Sequence, residues 1–159
     1  MNEMIPVKIR RAELDDAAAV CDVLHRSITQ LCARDHHNDP LVLSSWLENK
    51  TEQNMRAWLG ADATQSIVAV HEQNIVGVGM IGDSGEIHLC YVLPEVLHHN
   101  VGKQLLDAML KLASAQSHSR VSVVSTGTGK PFYERNGFKL SGEPEYCLGV
   151  LGYPMMKDI

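Results

Sequence analysis

No apolar run in the chain approaches the roughly 18 residues that a membrane-spanning helix needs, so no membrane span or membrane partner is expected. Met1-Asn2-Glu3-Met4-Ile5-Pro6 lacks a basic stretch followed by an apolar one. No signal peptide is expected from it, and the expected location is cytoplasmic. Cys21, Cys32, Cys90 and Cys147 stand far apart and form no CxxC pair. That spacing argues for reduced thiols and against a zinc site, so no metal is expected. Clustered Lys and Arg are missing too, and the formal net charge is -5. A surface that tracks nucleic-acid phosphates is therefore not expected. Repeats, low-complexity tracts and long linkers are absent, and 159 residues suit one domain spanning 1–159.

What is present is ordinary for a globular protein, at 45% apolar and 21% charged residues. Val7-Lys8-Ile9-Arg10 alternates like a strand. Val20, Val23, Leu24, Ile28 and Leu31 recur at helical spacing and predict a helix from Asp15 to Cys32. After the polar break Asp35-His36-His37-Asn38-Asp39-Pro40, Leu41 to Glu48 reads as a second helix and Thr51 as the cap of a third. Strands follow at Ile67 to Val70, Ile75 to Ile81 and Glu86 to Leu93, the first two joined by the Glu72-Gln73-Asn74 turn. Val101, Leu105, Leu106, Met109, Leu112 and Ala113 mark an amphipathic helix. Arg120 to Ser125 is a strand and Pro131 to Arg135 a short helix. The tail reads as two strands broken near Gly149 and Gly152. This order predicts a mixed α/β layer structure with helices covering a central sheet.

Two glycine patterns carry no function. Gly77-Val78-Gly79-Met80-Ile81-Gly82 spells a dinucleotide-binding motif but lies inside a strand with no helix opening at it. Its glycines are expected to ease a bent or closely packed strand. Gly127-Thr128-Gly129-Lys130 suggests a P-loop, but Val124 and Pro131 stand where that motif requires Gly and Ser or Thr. A flexible turn is expected there.

The stretch from Glu86 to Leu106 carries more information. A strand ending at Leu93-Pro94 feeds a loop, and the loop opens a helix at Val101. The first amides of a helix lack internal partners and point outward with its positive dipole end. They can hold a diphosphate without net positive charge, and Gly102 lets the backbone approach it closely.

Here the sequence resembles the GNAT superfamily of N-acetyltransferases, whose acyl-CoA loop reads Gln/Arg-x-x-Gly-x-Gly/Ala. On this chain the loop is Leu97-His98-His99-Asn100-Val101-Gly102, with Leu97 replacing the polar first residue and Asn100 the first glycine. Asn tolerates a left-handed backbone better than other non-glycine residues and can cap a helix. Leu97 takes a polar group from the phosphate site, for which His98, His99 or Lys103 can compensate. Downstream, Pro131-Phe132-Tyr133-Glu134-Arg135-Asn136-Gly137-Phe138 is similar to the family's Phe-Tyr-Glu-Arg-x-Gly-Phe element. The resemblance implies an α/β (α+β) GNAT fold, with a mixed, mostly antiparallel sheet of about six or seven strands flanked by helices.

It also implies an acyltransferase that moves an acetyl group from acetyl-CoA, its co-substrate, to a primary amine by direct attack in a ternary complex. Tyr133 then protonates the departing thiolate, and pantetheine lies along Tyr91, Val92 and Leu93. An amide near Val92 polarises the thioester carbonyl. His98 to Lys103 meet the phosphates, and Ser125 and Thr126 contact the cofactor. An ammonium with a pKa near 10.4 must lose a proton before it attacks, so a base is expected. Glu86 is the candidate, with His88 on the same face by alternation as the other. Asp35, His36, His37, Trp46 and Trp58 are candidates for the acceptor site, for a small-molecule or peptide amine. The competing expectation there is that the tryptophans pack helices and the charges face water. The family also makes a homodimer an open option. The alternative function is an acyl-CoA-binding sensor or interaction module with little catalysis.

Overall fold

The structure, a computed structural model, describes residues 4–159. Met1, Asn2 and Glu3, part of the stretch examined for a leader, lie outside the described residues. Strand β1 (Lys8–Arg11) leads through a 3-10 turn (Leu14–Asp16) into α1 (Ala17–Leu31), then α2 (Ala33–His36), α3 (Pro40–Leu47) and α4 (Glu52–Leu59). Strands β2 (Thr64–His71), β3 (Asn74–Gly82) and β4 (Glu86–Val92) form a meander, followed by α5 (Val101–Ala115). The chain closes with β5 (Arg120–Ser125), α6 (Lys130–Arg135), β6 (Lys139–Leu140), β7 (Glu145–Cys147) and β8 (Val150–Asp158).

Among the described residues the strands lie in the order β1-β2-β3-β4-β5-β8-β6, with β7 on β8. Every pairing is antiparallel except β4 with β5. Eight strands stand where about six or seven were expected. The difference lies in the tail, where the chain forms two short strands before its long last one. Gly149, at φ 79, makes a break as expected. Gly152 does not; it sits inside β8, where an added Cβ would lie 2.7 Å from Val124 Cγ1.

Local signals explain most element ends. Thr51 Oγ1 accepts the Asn54 amide and starts α4, and the Asp39 carboxylate accepts the Leu41 amide to start α3. Val20, Val23, Leu24 and Ile28 give α1 one buried face. Leu105, Leu106 and Met109 do the same for α5. The two helices pack on β3 and β4.

The discounted Gly77 and Gly79 have a packing role. A Cβ on Gly77 would lie 2.9 Å from Leu105 Cδ1, and one on Gly79 3.0 Å from Met109 Sδ. Glycine here sets how near α5 comes to the sheet, as β4 hands the chain to that helix. Gly77→Val should destabilise the protein by about 1–3 kcal/mol through overpacking. Urea unfolding checks this, and an unchanged midpoint would show that the helix spacing does not depend on that residue.

Candidate functional site

The parallel ladder between β4 and β5 is short, joining only Glu86 with Ser122 and Ile87 with Val123. Beyond it the strands part, although β4 continues to Val92 and β5 to Ser125. A bulge accompanies the parting. Ile87 faces Ile81 and Leu89 faces Met80 on β3, so His88 has no partner in register. An extra residue of this kind bends its strand. Past the bulge, the Leu93 amide bonds the Val76 carbonyl, and Tyr91 stands opposite Val78. Antiparallel ladders alternate, so Cys90 and Val92 turn their amides away from β3 and into the gap.

After Pro94–Val96 the loop takes His98 (φ 68) and Asn100 (φ 69, ψ 11) into the left-handed region. The Asn100 side chain makes no cap bond, while its carbonyl accepts the Gln104 amide at 3.2 Å. The leading amides of α5 thus face the gap without a capping side chain in front of them. Gly102 lies beneath Phe132, whose Cε1 would be 3.5 Å from an added Cβ. Lys103 pairs with Asp107 at 3.0 Å on the exposed side of the helix.

These parts enclose a cleft of ≈ 610 Å³. It gathers Tyr91, Val92, His98, Asn100, Val101, Gly102, Lys103, Thr126 and Tyr133 from the expected set. Leu93 is instead buried in the core, and Ser125 is buried with its hydroxyl donating to the Thr126 carbonyl at 2.8 Å. His99 does not line the cleft; its amide donates to the Val96 carbonyl. Glu86 sits where β4 and β5 are still paired and lines neither this cleft nor the second one below. The bulge interrupts the alternation that was to put His88 on the face of Glu86, and His88 packs its ring against Gly82.

Tyr133 is buried on α6 between Phe132 and Phe138, with ring centroids 5.2 Å from each. Burial, then the neighbouring Cys90 and Tyr91, hold its phenol well above the usual tyrosine range. It is therefore the protonated, proton-donating form that faces the cleft. Burial also pushes the Cys90 thiol up to about 12, against a smaller lowering by its bond with Tyr133. Cys90 and Arg135 are among the cleft residues that the sequence reading did not single out. The cation in the Phe-Tyr-Glu-Arg element was the available signal for Arg135.

A second cleft of ≈ 680 Å³ adjoins the first and shares Pro131 with it. Arg34, Asp35, Lys130, Glu134, Tyr146 and Tyr153 are among its walls. The partition between the clefts is built by Asp35. Its carboxylate accepts the Gly127 amide at 2.6 Å, the Thr128 amide at 3.1 Å and the Thr128 hydroxyl at 2.5 Å. The Gly127 turn, expected to be flexible, is thereby pinned, and an added Cβ there would meet Asp35 Oδ1 at 2.9 Å. His36, offered for acceptor binding, is a core residue. It is fully buried, its Nδ1 accepts the Asn38 amide, and Nε2 therefore donates to the Ile28 carbonyl at 2.9 Å. Trp46 packs edge-on against it, and Trp58 packs on the main core. Of the five acceptor candidates, Asp35 and His37 alone reach the second cleft.

Among the described residues no group of side chains is arranged to hold a metal ion, and no helix is long and apolar enough to cross a membrane. The profile of the acetyltransferase (GNAT) domain family matches residues 32–159. A curated relative, the uncharacterized N-acetyltransferase YafP of Escherichia coli strain K12, is 27% identical over 137 residues, covering 84% of this chain and 81% of its own. A GCN5-related N-acetyltransferase from Rhodopseudomonas palustris superposes with a TM-score of 0.88 at 23% identity, over 100% of this chain and 99% of that one. The PaiA N-acetyltransferase of Thermoplasma acidophilum, solved in complex with coenzyme A, superposes at 0.86 with 18% identity, over 98% of this chain and 100% of its own.

Two outcomes are expected from this geometry. Asn100→Val places a β-branched residue in the left-handed region at a cost of about 1–2 kcal/mol. Coenzyme A affinity by calorimetry should fall about tenfold, whereas Asn100→Gly should bind at least as well as the parent. Cys32, also pushed up to about 12 by burial, and Cys90 should resist a disulfide reagent at pH 8 in the native protein, while the exposed Cys147 reacts at once. A fast phase that survives in the double variant Cys21→Ser, Cys147→Ser would contradict this.

Proposed function

Because the chain belongs to the GNAT acetyltransferase family, we propose that it moves the acetyl group of acetyl-CoA directly onto a primary amine, with the donor between β4 and β5 and the amine in the Arg34–Asp35 cleft. The observation that carries this reading is the parting of β4 from β5 beside an uncapped α5 start, with Tyr133 at the same gap. The residues present fit the donor. The amides opening α5 suit its diphosphate, and the Lys103 and Arg135 cations stand on the rim of the cleft. The free edge of β4 suits the amides of a pantetheine arm as an added strand would. Leu97 supplies no charge to the phosphates, so binding there rests on backbone amides and these cations.

The thioester supplies an acyl group already activated for transfer, which leaves positioning and proton movement to the protein. The Val92 amide, turned into the gap, is placed to hold the carbonyl oxygen as it gains charge. Tyr133 delivers its proton to the departing sulfur. On the acceptor side the available carboxylate is Asp35 rather than the expected Glu86, since Glu134 is engaged by Lys130 at 3.2 Å. Three donors occupy Asp35, and a carboxylate pair has about four acceptor sites. One direction thus remains for an incoming ammonium, whose proton passes to water in the cleft.

A panel of primary amines incubated with acetyl-CoA and read by thiol release tests the activity. Release with at least one amine is expected. Coenzyme A binding without release from any amine would favour the sensor reading. Tyr133→Phe should lower turnover by about 10²-fold while coenzyme A affinity by calorimetry stays within twofold. Equal turnover would remove Tyr133 as the proton donor.

A further inference from the structure

The arginines of this chain fall into two groups. Arg10, Arg26, Arg56 and Arg120 each pair with a carboxylate. Arg11, Arg34 and Arg135 do not; among the described residues none of these three side chains has a hydrogen bond or ion pair, and Arg34 and Arg135 each line one of the clefts while Arg11, on β1, lines neither. Arg135 faces the donor cleft, where anionic phosphates are proposed to bind. Arg34 faces the acceptor cleft, where the neighbouring charges are already engaged. Asp35 is held by Gly127 and Thr128, and Glu134 by Lys130. The second cleft therefore presents one unspent guanidinium beside one remaining carboxylate direction. Tyr146, Leu151 and Tyr153 add aromatic and apolar wall to the same cleft.

From this we infer that the acceptor is an amine whose own carbon chain bears a carboxylate, as in a free amino acid or a peptide with a free C-terminus. The ammonium end lies toward Asp35 and the carboxylate end toward Arg34. A guanidinium presents a planar fork of donors that matches a carboxylate with two bonds, which a lone ammonium does not. Arg34 and Asp35 lie on α2, and the buried His36 next to them fixes the turn that follows. The His36 ring accepts the Asn38 amide, and His37 (φ 54) and Asn38 (φ 56) are both left-handed. The two charged groups are thus presented from a segment anchored in the core, which limits the entropy lost when a ligand binds. This inference rests on the acceptor assignment made above and adds the chemical class of the substrate.

The test uses acceptor pairs that differ only in the carboxylate. One arm sets amino acids against the amines left by their decarboxylation. The other sets lysine-containing dipeptides with free C-termini against their amidated forms. Two readouts are taken, thiol release with acetyl-CoA and calorimetric binding of each acceptor to the coenzyme A-loaded protein. Wild type should prefer the carboxylated member by about tenfold or more in at least one arm, and that arm identifies the source. Arg34→Ala should bring the ratio close to one, and Arg34→Lys should retain part of it. Equal handling of both members by wild type, or a preference that Arg34→Ala leaves intact, overturns the inference while transfer itself stands. Binding that prefers carboxylate through Arg34 without thiol release would uphold the inference and reject the transferase reading. Neither binding nor release from any acceptor would reject both.

Discussion

Beyond Ile87 and Val123 the central sheet stops bonding to itself, and the chemistry of the molecule depends on that interruption. Backbone amides and carbonyls turned into a gap persist only where water or a ligand satisfies them. The extra residue at His88 bends β4 at the point where its ladder with β5 ends. The strand then delivers the chain, through Pro94 and the left-handed Asn100, to the start of a helix whose first amides also lack partners. Two kinds of unsatisfied backbone, a strand edge and a helix end, therefore face one opening. An extended donor with a diphosphate at one end satisfies both.

A gap in a sheet is a weak point unless something spans it. On the β5 side of the gap Asp35 supplies a tie from α2, accepting two amides and a hydroxyl from the turn after β5. Hydrogen bonds to a charged group contribute about 1.5–3 kcal/mol each, enough to hold a turn containing Gly127 and Gly129 in one conformation. The same carboxylate lines the second cleft, so a residue that stabilises the fold also stands in the wall proposed for the acceptor.

Contiguous features were legible in the sequence. The amphipathic helices and the Thr51 cap are exposed by local periodicity and spacing, and the Leu97-to-Gly102 loop and the Phe132-to-Phe138 element, each a few neighbouring positions, by their resemblance to the family's motifs. The left-handed Asn100 was readable for the same reason, because backbone preference is a local property. What escaped depends on residues far apart in the chain. Nothing near Asp35 announces that it will bind Gly127, 92 positions away. His36 and Trp46 looked available for a ligand because their composition resembles that of a binding site, yet they pack together in a small core with Ile28 and Val150. His88 was set on the face of Glu86 by strand alternation, and the bulge at that residue is where alternation ceases to be a guide.

The partition raised by Asp35 also bears on traffic through the protein. The two cavities share Pro131 and otherwise have separate linings, so each partner in the proposed transfer has its own doorway. In the proposed transfer the way out for spent donor runs beside α5, and that for the modified amine beside β7 and β8. Neither departure requires the other room to be vacated first.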